Sequence, residues 1–114
     1  FDEAGERLDV CDSLLEPEWE NLMAAMEGAY HRQQWQMAID YAEVLTQSWM
    51  AGARYTQARL GYTWAVMGAK KLENIPQLAW NMIWQGYACS EQGAVSEAQQ
   101  LLRAAPYRAP WSIA

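Results

Sequence analysis

Apolar residues recur along this chain three or four apart, and no stretch of useful length alternates with the period of a strand. Leu22, Met26, Ala29 and Tyr30 mark one face of a helix predicted from about residue 17 to 33. Pro17 opens it, and Glu18 and Glu20 lie beside the positive end of its dipole. Gln33 and Gln34 form a brief turn, after which Trp35, Ala38, Ala42 and Leu45 predict a second helix over 35–49, broken at Gly52. Tyr55, Leu60, Trp64 and Met67 predict a third, closed by Gly68 as a left-handed cap with Lys70 and Lys71 just past the end. No period holds over residues 69–75. Pro76 opens a fourth helix running through Trp80, Trp84 and Tyr87 to about Gln92, where Gly93 ends it. Ala98, Leu101, Leu102 and Ala105 give a fifth helix that starts near Ser96 and stops at Pro106.

The ends read differently. Leu8, Cys11 and Leu15 stand at helical spacing among Asp and Glu, so residues 1–15 are expected to form a short acidic helix or an arm. Residues 107–114, with Pro110, are expected to pack in extended form through Trp111. The expectation is an all-α fold of about five antiparallel helices over residues 16–106, large enough to bury a core without a disulfide or a metal.

Three similar stretches suggest a repeat: Met26-Glu27-Gly28-Ala29-Tyr30, Leu60-Gly61-Tyr62-Thr63-Trp64 and Ile83-Trp84-Gln85-Gly86-Tyr87. Tyr30 and Trp64 are separated by the period of about 34 residues typical of stacked helical hairpins. With Ala29-Tyr30 followed by Trp35 and Ala38, the chain resembles the tetratricopeptide repeat family over residues 19–106. The match is degenerate. Tyr87 follows Trp64 too soon for that period, so one helix's worth of sequence is missing from a regular array, and Glu27 stands where a small residue is expected.

That resemblance implies a short right-handed solenoid whose first helices line a concave, aromatic groove for a peptide segment of a partner. Carried over from the anchors Tyr30 and Trp64, the groove residues are Asn21, Ala25 and Gly28 on the first helix and Tyr55, Arg59 and Tyr62 on the third. If Tyr87 anchors another unit, Asn81, Met82 and Gln85 join them. The Lys and Asn residues with which some relatives clamp a terminal carboxylate are not matched. Small acidic tetratricopeptide chaperones of bacterial protein-secretion systems are similar in size and charge, which implies an adaptor or chaperone-like role. Set against it are a structural domain that self-associates through exposed aromatics and a helical bundle holding an apolar ligand near Met26, Trp64 and Trp80.

Composition narrows the choice. Net charge is −6, yet residues 1–27 hold nine acids against one base and the remainder is close to neutral. The concentrated Lys/Arg face that nucleic acid needs is missing, and a membrane surface is disfavoured for the same reason. No apolar run is long enough to cross a bilayer and no signal-peptide pattern opens the chain, which favours the cytoplasm; the first residue is Phe1 rather than Met, which leaves room for a trimmed leader or a larger parent. Cys11 and Cys89 are expected to be free thiols. His31, the one histidine, has Glu27 a turn before it, which is too little for a metal site, and no nucleophile, acid–base pair or phosphate loop stands out. Neither enzyme activity nor a cofactor is expected. Trp80, Trp84 and Tyr87, at i, i+4 and i+7, are expected to pack in the core.

Overall fold

The computed structural model describes residues 16–105, so the acidic arm, Cys11 and the Trp111 tail lie outside the described residues. Five helices follow one another: α1 Glu16–His31, α2 Trp35–Ala51, α3 Tyr55–Leu72, α4 Ile75–Glu91 and α5 Val95–Ala104. Each packs on the next, and α1 also reaches α3, which gives stacked hairpins as expected for an all-α chain with short connections.

The turns reveal the spacing of the stack. Backbone N–H groups of Gln34, Arg54, Asn74 and Ala94 donate to the carbonyls of Ala29, Trp49, Ala69 and Cys89 at 2.9, 2.7, 2.9 and 2.9 Å. In each turn one residue is left-handed: Gln33 (φ 61°), Ala53 (φ 53°), Glu73 (φ 54°) and Gly93 (φ 83°). Every joint therefore recurs at one fixed interval, a single helix plus a single turn. Tyr30 and Trp64 are not counterparts in this spacing. They belong to α1 and α3 and stack on each other at 6.3 Å, closing the contact between those two helices.

Two sequence expectations are corrected here. Gly68 does not end the third helix, which runs on to Leu72, and the left-handed cap is Glu73. Gly68 serves packing instead, since a Cβ there would stand 3.0 Å from the Trp35 carbonyl oxygen. Lys70 and Lys71 consequently lie inside the last turn of α3, where they offset the negative end of its dipole. No helix is missing between Trp64 and Tyr87: they lie on the consecutive helices α3 and α4, joined at the same interval as the others, and α4 begins at Ile75 with the Asn74 side chain accepting from the Gln77 N–H at 3.2 Å as its cap.

A left-handed backbone costs a side-chain-bearing residue on the order of 1 kcal/mol, and a glycine nothing. Because glycine also loosens the unfolded chain, Ala53→Gly is expected to raise stability by about 0.5 kcal/mol and Gly93→Ala to lower it by about 1 kcal/mol. Urea unfolding of the two variants measures both signs.

The core obeys the same interval. Ala38, Ala58 and Ala98 are buried at one register position, Ala42, Tyr62 and Met82 at a second, and Ala29, Trp49, Ala69 and Cys89 at a third. Small residues let neighbouring helices approach while Trp49, Tyr62 and Met26 fill the space between them. At Gly61 the fit is tightest: the edge of the Trp49 ring occupies the place a Cβ would take, with the Met26 sulfur at 3.3 Å from that point.

Candidate functional site

Two open surfaces stand out on this stack. One is aromatic. Trp80, Trp84 and Tyr87 follow each other along the outer side of α4 with ring centres 6.1 and 5.8 Å apart. Tyr55, from the start of α3, sets its ring edge-on to Tyr87 at 6.5 Å. Met50, near the end of α2, closes the far side, so that Met50, Ile83, Trp84 and Tyr87 line an open-sided hollow of about 460 Å³. Tyr87 is 45% exposed, and Trp80 and Trp84 are half-buried, their inner edges packed on the core.

The stripe meets the expectation of a core position in part: Trp80 and Trp84 pack against the core, and Tyr87 is exposed. Its outer edge reaches the surface because α4 spends its opposite side, Ala79, Met82, Gly86 and Cys89, on α3 and α5, leaving Tyr87 exposed and Trp80 and Trp84 half-buried. A signal for this is present in the sequence: one turn beyond Tyr87 the row continues into Glu91, and a core stripe does not end on a carboxylate. Glu91 is close enough to push the Tyr87 phenol above its ordinary pKa, ahead of the smaller effect of burial.

The second surface is polar. Thr56, Arg59, Leu60, Thr63, Gln85, Gln92 and Glu97 surround an open hollow of about 350 Å³. Arg59 spans it, donating to Gln92 at 2.8 Å and to the Glu97 carboxylate at 2.7 Å. Gln92 in turn donates to Thr56 at 2.8 Å, and Gln85 donates to Thr63 at 2.9 Å. Arg59 and Glu97 are partly solvent-exposed, so the pair contributes at most about 1 kcal/mol, and its role is to tie α5 to α3. The buried thiol of Cys89 lies beneath, its pKa raised mainly by burial.

The predicted groove is therefore divided. Arg59 and Gln85 meet in the polar hollow, and Tyr55 belongs to the aromatic face. Tyr62, Asn81 and Met82 are buried and present no surface, a correction that follows from the packing: α3 and α4 each have neighbours on two sides. Asn81 Nδ2 donates to the Gln77 carbonyl at 2.8 Å. Asn21 is exposed on α1, Ala25 and Gly28 are half-buried there, and none of the three lines either hollow. Gly28 lies under the Arg32 guanidinium, where a Cβ would come within 2.9 Å.

Tyr62 illustrates what burial does to a polar ring. Thr46 has one hydroxyl proton and gives it to the Ala42 carbonyl at 2.6 Å, so the Tyr62 hydroxyl donates to Thr46 at 2.8 Å. Burial pushes the phenol from 10.0 to about 12, with the Thr46 hydrogen bond acting in the opposite sense. An acid whose folded pKa is raised contributes its full stability below the unfolded value, and that contribution is lost as pH rises through the folded one. Stability is thus expected to fall between pH 10 and 12, and Tyr62→Phe should shift the alkaline unfolding midpoint, followed by circular dichroism, to higher pH.

His31 and Glu27 stand 3.8 Å apart on the surface, and among the described residues no three His, Cys, Asp or Glu side chains come close enough to hold a metal ion. No described helix is long and apolar enough to cross a membrane. No family model matches the chain, and no curated protein or solved structure matches it either.

Proposed function

We propose that this chain is a non-enzymatic docking module, adaptor or chaperone-like, which receives an apolar segment of a partner polypeptide on the aromatic face of α4. The observation that carries this reading is the hollow bounded by Met50, Ile83, Trp84 and Tyr87, open to solvent in a chain whose core takes in Trp19, Trp49, Tyr62 and Trp64. Covering the exposed part of Tyr87 alone removes on the order of 100 Å² from water, which is about 2 kcal/mol. Aromatic rings anchored on a rigid helix lose little entropy on binding, which suits them as contact points.

The hollow has a volume suited to a small molecule, but its open side would leave such a ligand half wet, whereas a polypeptide brings its own outer surface. A second copy of the chain is the rival occupant. Sedimentation separates the two, because a dimer that persists on dilution and covers α4 supports self-assembly, while a monomer supports a foreign partner.

Titration with a leucine-rich amphipathic helical peptide, followed by tryptophan emission, tests the reading. Trp84→Ala and Tyr87→Ala are each expected to weaken binding by about tenfold or more with unchanged helix content. Equal affinity in wild type and both variants would remove the face from consideration.

A further inference from the structure

The two helices that border the aromatic hollow carry charge of one sign. Neither α2 nor α4 contains a Lys, Arg or His; together they carry Asp40, Glu43 and Glu91. Glu91 lies in line with Trp84 and Tyr87, and Glu43 is two turns before Met50 on the same side of α2, so each helix that lines the hollow carries an acid on the side that lines it. Both are exposed, and neither has an ion-pair partner among the described residues. Arg54, the base that follows α2, stacks over the Trp19 ring at 4.8 Å.

We propose that the occupant of this face is a cationic amphipathic helix, one whose apolar stripe enters the hollow between Met50 and Trp84 while Lys or Arg beside the stripe meets Glu43 and Glu91. The hollow is apolar and open-sided, lined by three residues of α4 and by Met50 of α2, a surface against which a partner helix can lay side chains at i, i+3 and i+7. A neutral or acidic helix would satisfy the hollow and leave both carboxylates unmatched, with acidic flanks repelled. The inference rests on the docking reading above and adds the charge of the partner to it.

Three helical peptides of about five turns, sharing one leucine stripe and differing only in Lys, Gln or Glu flanks, separate the two claims. At about 50 mM salt the Lys peptide is expected to bind wild-type protein about tenfold tighter than the Gln peptide, with the Glu peptide weakest. In the Glu43→Gln/Glu91→Gln protein, or at about 0.5 M salt, that preference should shrink to about twofold or less. Both substitutions are at exposed positions, so folding is unaffected. Equal binding of all three peptides, lost in Trp84→Ala, overturns the cationic partner and leaves the docking face standing. A Lys preference that survives Glu43→Gln/Glu91→Gln also overturns it, because the attraction then originates elsewhere. No binding by any peptide, with a stable dimer covering α4, removes both readings.

Discussion

Trp49→Ala is expected to cost about 3 to 5 kcal/mol, a large share of the roughly 5 to 15 kcal/mol by which a domain is ordinarily stable. Trp49 is fully buried near the end of α2, edge-on to Tyr62 at 5.2 Å and pressed against the backbone of α3 at Gly61. Its removal leaves a cavity ringed by two helices whose separation the ring itself sets, so collapse cannot recover much of the loss. The indole nitrogen has no hydrogen-bond partner among the described residues, so the cost is chiefly one of volume. Trp49→Phe should therefore lose far less, about 1 to 2 kcal/mol, and chemical denaturation of the pair isolates the shape of the ring as the cause.

Gly61→Val should approach the same magnitude from the opposite direction, at about 3 kcal/mol, since overpacking ordinarily costs about 1 to 3 kcal/mol and branching at Cβ adds further strain in a helix. A Cβ on residue 61 would come within 2.9 Å of a second atom of the Trp49 ring as well as overlapping its edge, and Met26 blocks escape on the other side. Gly61→Ala is milder, because alanine's better helix propensity returns about 1 kcal/mol. In a Trp49→Leu background the same alanine should become neutral or stabilising. A double-mutant cycle with no coupling between the two positions would show that this close approach does not hold α2 and α3 together.

Much of the fold was legible because its determinants are local. Five apolar stripes of helical period, Pro at a helix start, and Gly52 and Gly93 at the breaks placed the five helices to within a few positions. The recurrence from joint to joint was hidden, since equivalent turn positions hold Gln33, Ala53, Glu73 and Gly93, only one of which is a residue that signals a left-handed backbone. Gly68 misleads for the complementary reason. A glycine chosen for close helix packing looks in one dimension like a glycine chosen for a cap.

The site was less legible than the fold. Tyr62 and Asn81 are groove residues by analogy of register, yet the contacts that bury them come from helices far along the chain, and no local pattern states which side of a helix such neighbours will occupy. Tyr87 shows the reverse error and Trp84 half of it, because an aromatic row of helical spacing is usually interior, whereas Tyr87 is exposed and Trp84 only half-buried. What distinguishes this row is its continuation to Glu91 and the lack of any base on α2 and α4, a distribution of charge that becomes informative only once those two helices are seen to border one hollow.

The identical joints also limit how the chain can change length. Excising one helix with its joint would leave every hinge chemically intact but send each later segment back in the reverse direction, so that α4's aromatic flank would exchange sides with its neighbours. Excising two would restore the original polarity. Viable shortening or lengthening of this molecule is therefore quantised in pairs, whatever occupies the individual positions.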